Sequence, residues 1–130
     1  MYTIVMNIVP ENSIDTRQGL LHLLYTKKNP IVFCVYNGLF VKRNLEQKIK
    51  NKLNKYKNDL KPFYFMYLNL NNSVDIMYYY YLKKTFKSLP CLLIYNEDST
   101  NISEPDCVIE LNDDFRVKHL FDKLPKIISQ

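Results

Sequence analysis

The sequence predicts one α/β domain over residues 1–130, a three-layer α/β/α sandwich around a mixed central sheet in the order βαβαβαββα. Three observations lead to that class. Residues 31–36 (Ile-Val-Phe-Cys-Val-Tyr), 63–68 (Phe-Tyr-Phe-Met-Tyr-Leu) and 91–95 (Cys-Leu-Leu-Ile-Tyr) are continuous apolar runs of strand length, the pattern of strands covered on both faces. Between them lie longer stretches whose apolar residues recur every three or four positions, the period of an amphipathic helix. Finally, Pro90 opens the third run directly after a helical pattern that ends near Lys87 and Ser88, so helix gives way to strand within three residues.

The elements follow in order. Residues 2–9 are rich in Ile and Val and alternate loosely, as a first strand would. Ser13 is placed to cap a helix over residues 14–25, with Ile14, Leu20, Leu21 and Leu24 inward; Gly19 costs that helix about 1 kcal/mol relative to Ala. The second strand is residues 31–36, ended by Asn37-Gly38. A long helix starting near Phe40 then carries Val41, Leu45, Ile49, Leu53, Tyr56 and Leu60 on one stripe and is expected to stop at Pro62. Its opposite face holds Arg43, Lys50, Lys57 and Lys61. After the strand at 63–69, residues from Val74 onward read as a third helix with Met77, Tyr78, Tyr81, Leu82 and Phe86 inward. The strand at 90–95, a polar loop and a strand at 107–111 precede a last helix. That helix is expected to be capped by Asn112 or Asp113, with Val117, Leu120, Phe121 and Leu124 buried.

Composition limits the functional classes. At 130 residues the chain can bury roughly two-thirds of its unfolded surface. No apolar run reaches the roughly 18–20 residues of a membrane span, and the apolar start lacks the basic region and cleavage site of a signal peptide. Three cysteines, Cys34, Cys91 and Cys107, do not make a disulfide framework, so a reducing compartment such as the cytoplasm is expected. The chain has no Ala or Trp, two Gly, and fifteen Lys against three Arg, which suggests an A/T-rich coding genome such as that of a large DNA virus or a protist. Charge is segregated. Residues 42–61 hold eight basic and two acidic residues, whereas residues 96–114 hold seven acids and no base.

The order of elements and the residues Phe86-Lys87-Ser88-Leu89-Pro90, followed by an apolar strand, resemble the thioredoxin superfamily across nearly the whole chain. There an apolar residue, two variable residues and another apolar residue precede a cis-proline that leads a buried strand. Tyr67-Leu68-Asn69-Leu70-Asn71 is similar to the end of the family's third strand, and residues 31–35 lie where the strand before the active site belongs. The resemblance implies a cis Leu89–Pro90 bond. It also exposes a departure. Redox-active members place a Cys-x-x-Cys at the start of the next helix, where the helix N-terminus lowers a thiol pKa. Here that segment reads Asn37-Gly38-Leu39-Phe40-Val41-Lys42-Arg43-Asn44, with no cysteine from 35 to 90. The family's tryptophan beside the motif is missing, and Phe33 stands where the family has a buried acid.

The resulting expectation is a redox-inactive thioredoxin-fold protein that works as a protein–protein interaction, structural or assembly module, including the case of a virion component. Leu39 and Phe40, beside Leu89 and Pro90, would form an apolar partner-binding rim; the alternative is that they fold back under the helix start. Tyr79 and Tyr80 point away from the inferred helix core and are further contact candidates. The runner-up is a monothiol oxidoreductase or glutathione-binding protein using Cys91, alone or paired with Cys34 across neighbouring strands; a buried structural role for both thiols is the competing reading. A weaker third reading has the basic helix face meeting nucleic acid, although aromatic residues interleaved with the lysines are wanting. The acidic 96–114 stretch could meet a second copy or a basic partner. His22 and His119 lie on different helices without cysteine pairs, so no metal site is expected; two glycines supply neither a GxGxxG nor a P-loop, and no cofactor is implied.

Overall fold

A computed structural model describes residues 6–8, 29–36, 42–56, 60–69, 89–99, 101, 104–112 and 115–124. They form strands β1 (Met6–Ile8), β2 (Ile31–Tyr36), β3 (Phe63–Asn69), β4 (Cys91–Tyr95) and β5 (Cys107–Glu110), with helices α1 (Lys42–Tyr56) and α2 (Val117–Lys123). Each described element falls within the segment that its sequence pattern assigns to it. The helices expected over 14–25 and after Val74 lie outside the described residues.

The five strands make one mixed sheet in the order β1-β3-β2-β4-β5. β3 is parallel to both β1 and β2, while β4 runs antiparallel to β2 and β5 antiparallel to β4. A parallel β2–β3 pair needs a long crossover. α1 supplies it, packing Leu45 and Ile49 onto the sheet with Leu53 half-buried beside them. The continuous apolar runs have the predicted consequence: every residue of β2 and β4 is buried. Alternation then divides these side chains between two cores. Val32, Cys34, Tyr36, Phe65, Tyr67, Leu92 and Ile94 lie on the face covered by α1 and α2, with Val117, Leu120, Phe121 and Leu124 closing it. Ile31, Phe33, Val35, Met66, Leu68, Cys91, Leu93 and Tyr95 occupy the opposite face, and it too is buried. Phe33, at the position of the family's acid, is 0% exposed among these apolar neighbours. A carboxylate there would need a charge partner that apolar walls do not supply.

Two boundaries differ from expectation. The described helix α1 ends at Tyr56, and by Leu60 the backbone has left the helix for an isolated bridge, although the Leu60 side chain is still buried in the helix-side core. Pro62 biases the residue before it towards extended conformation, so the chain straightens ahead of the proline. Lys61 is therefore not on the helical basic face. Its Nζ instead meets Glu97 Oε1 at 2.6 Å. At α2, neither Asn112 nor Asp113 is the cap. Asn112 accepts the Phe115 N–H in a turn at 3.0 Å, which delays the helix. Arg116 becomes the N-cap residue. Its backbone N–H donates to His119 Nδ1 at 3.1 Å, so the third helical residue reaches back to the cap as the acidic residue of a capping box would.

The candidate site at the cis-proline rim

Antiparallel pairing of β2 with β4 brings the last residues of β2 beside the first residues of β4, with Val35 opposite Cys91. The Leu89–Pro90 peptide bond at this point is cis, as the resemblance implied. Pro90 gives its carbonyl to the Leu111 N–H at 3.0 Å, which ties the cis-proline turn to the end of β5. Leu89 and Pro90 are both half-buried, and Leu89 leans on the core face that holds Cys91 and Val35. Only part of each is therefore offered to a partner. Leu39 and Phe40 of the expected rim, and Tyr79 and Tyr80, lie outside the described residues.

Cys91 and Cys34 are buried thiols on adjacent strands, yet they cannot pair. Cys34 is opposite Leu92 and Cys91 is opposite Val35, a one-residue offset. Successive side chains point to opposite faces of a sheet. Cys34 accordingly sits in the core under α1 and α2, and Cys91 sits in the other. The pairing raised by the sequence is overturned by this parity, and no disulfide joins the three cysteines. Burial pushes the Cys91 thiol up to about 12, with the carboxylate of Glu110 adding to the effect. Glu110 is the residue directly opposite Cys91 on β5. A nucleophilic cysteine needs a positive or helix-terminal environment that lowers its pKa; Cys91 has the reverse. Tyr95, at the far end of the same strand, is likewise pushed up, first by burial and then by Cys91 and Asp106.

Beneath the end of β2 lies a contact that sequence reading missed. The Tyr67 hydroxyl donates to Glu46 Oε1 from the first turns of α1. Tyr36 meets Tyr67 edge-on with ring centroids 6.3 Å apart, and Phe65 meets Tyr67 at 5.2 Å. This cluster fastens the first turns of α1 to the ends of β2 and β3. Tyr67 appears in sequence as one more aromatic in a buried run. Only the helix-to-strand packing distinguishes it.

The basic face of α1 is real in part: Arg43 and Lys50 are exposed, Lys57 lies outside the described residues, and Lys61 is paired as above. Within the acidic stretch, Glu97 is held by Lys61, and the Asp106 carboxylate accepts the Asn96 N–H at 2.7 Å and the Ser99 hydroxyl. Asp106 thereby organises its own loop. Among the described residues no three His, Cys, Asp or Glu side chains gather in a metal-holding cluster, and no helix is long and apolar enough to cross a membrane.

No protein-family model matches the chain, and no curated protein matches it in sequence. Solved structures do match. Thioredoxin O2 from Arabidopsis thaliana, in its oxidized state, superposes with a TM-score of 0.60 at 14% identity over 92% of this chain and 94% of that one. Thioredoxin from Plasmodium falciparum gives a TM-score of 0.60 at 13% identity over 98% of this chain and 95% of that one. Thioredoxin O1 from Arabidopsis thaliana follows at 0.58 and 12%, covering 92% and 96%. The chain has a thioredoxin-like fold.

Proposed function

We propose that this protein is a thioredoxin-fold binding or assembly module that does no dithiol chemistry. The observation that carries the reading is the parity of Cys34 and Cys91, which puts the two thiols nearest the cis-proline in separate cores. Supporting it, the segment after β2 has no cysteine, and the Cys91 thiol is raised to about 12. The partner surface in this reading is the cis-proline rim, Leu89 and Pro90, to which the sequence adds Leu39 and Phe40. The assembly in this reading is a viral particle or another large complex, in keeping with a lysine-heavy composition that suggests an A/T-rich coding genome, and the thiols suit a reducing compartment.

A second reading, a monothiol oxidoreductase acting through Cys91, is favoured by one fact: the structures it superposes on are thioredoxins. Reduction of insulin disulfides by dithiothreitol separates the two. The module should leave the rate at that of dithiothreitol alone. An acceleration that disappears in Cys91→Ala would establish the second reading instead.

A further inference from the structure

β5 ends the sheet, and among the described residues it pairs with β4 alone. The bond from Leu111 N–H to Pro90 O fixes which backbone groups of β5 face outward. In an antiparallel ladder, hydrogen-bonded and non-hydrogen-bonded pairs alternate. Leu111 and Pro90 are a bonded pair, so Glu110 with Cys91 and Val108 with Leu93 are the non-bonded pairs. The N–H and C=O of Val108 and Glu110 therefore point away from β4, into the open edge. Natural edge strands are commonly guarded by lysine, proline or a bulge. β5 reads Cys-Val-Ile-Glu, with Val108 36% exposed and neither lysine nor proline within the strand; Pro105 and the Asp106 N–H bond to the Ile94 carbonyl, one residue out of the ladder register, lie just before it. Beside this edge runs an open groove of about 440 Å³ whose lining includes Cys107, Ile109, Phe115, His119, Asp122 and Lys123.

The charge around the edge has one sign on the strand side. Glu104 and Asp106 are exposed just before β5, and Glu110 is half-buried within it. A second copy pairing β5 against β5 would bring together two edges carrying the same negative charge, which is less favourable than pairing with a basic strand. The basic residues of α1 are on a helix and cannot add a strand. We infer that the β5 edge takes an extended peptide carrying Lys or Arg at alternate positions, added as a sixth strand. Its backbone bonds to Val108 and Glu110. Its basic side chains lie on the face of Glu110, and the intervening apolar ones enter the groove at Ile109 and Phe115. This is strand addition, in which main-chain bonds give affinity and alternate side chains give specificity. The outer edge of β5 is a different surface from the cis-proline rim, although Leu111 ties the two together, and the inference does not rest on a partner at that rim.

The test uses the full chain and a fluorescently labelled seven-residue peptide of alternating Lys and Val, followed by anisotropy. Saturable binding that weakens with salt is expected, although the chain's net charge of +5 repels the peptide at long range. Val108→Pro removes an outward N–H without breaking a bond to β4, so it should abolish binding and keep the fold. Glu110→Lys should weaken binding by about tenfold or more, and it serves as the second probe should the proline variant fail to fold. Equal binding of an alternating Glu and Val peptide, no saturable binding, or undiminished binding by Glu110→Lys or by folded Val108→Pro would overturn the proposal.

Discussion

The Cys91 thiol offers a quantitative test of how this fold treats its remaining chemistry. Take a variant in which Cys34 and Cys107 are replaced by Ala, so that Cys91 is the single thiol. The ordinary thiol value is 9.0 and burial with Glu110 raises Cys91 to about 12. Thiolate is the reactive form, and each pKa unit changes its fraction tenfold. At pH 8 an unperturbed thiol is about one-tenth ionised and Cys91 about one part in ten thousand, a deficit of roughly 1,000-fold. Complete burial, at 0% exposure, adds a steric barrier in the same direction. The assay is the second-order rate with an aromatic disulfide such as Ellman's reagent, native and in denaturant. The native rate should be at least about 1,000-fold below the denatured one. A native rate within tenfold of the denatured one would refute the reasoning, because it would place Cys91 at an open, ionisable position.

Two further outcomes follow from the same structure. Stability should fall as pH rises above about 9. Cys91 and Tyr95 keep their protons in the folded chain but lose them when unfolded, so the unfolded state binds fewer protons there and alkali favours it. The Cys91 share of that stability is fully present below pH 9 and is lost as pH climbs towards 12, at up to about 1.4 kcal/mol per pH unit. In chemical denaturation from pH 8 to 11, Cys91→Ala should show the shallower decline, and parallel curves would contradict the shift. Separately, Tyr67→Phe should cost about 1.5–3 kcal/mol, the range for a hydrogen bond to a charged group, because it removes the donor to Glu46 and keeps the ring packing. A change below about 0.5 kcal/mol in the denaturation midpoint analysis would show that this contact does not anchor α1.

How much of this was legible in the chain depends on the range of the physics. The buried strands announced themselves because both faces of β2 and β4 are covered, which leaves an unbroken apolar run. Leu45, Ile49 and Leu53 announced α1 because helical periodicity is local. Pro90 was readable for the same reason. The relation of Cys34 to Cys91 was not, and the feature that made the strands obvious is what hid it. A strand buried on both faces carries no polar alternation to mark parity, so only the pairing register shows that the two thiols part company. Lys61 illustrates the second limit. Its spacing fits the basic stripe, but the backbone has left the helix by Leu60 and the side chain meets Glu97, a residue distant in sequence. The groove beside β5 is of the same kind. Ile109, Phe115 and His119 are ordinary residues in sequence, and they converge only because α2 packs against the edge strand.

We propose that the chain keeps the cis-proline turn of the fold and carries out no thiol chemistry at Cys91. Insulin-disulfide reduction with dithiothreitol, run with the parent chain and Cys91→Ala side by side, tests it most directly. Both should match the rate of dithiothreitol alone; a parent-only acceleration would contradict the claim.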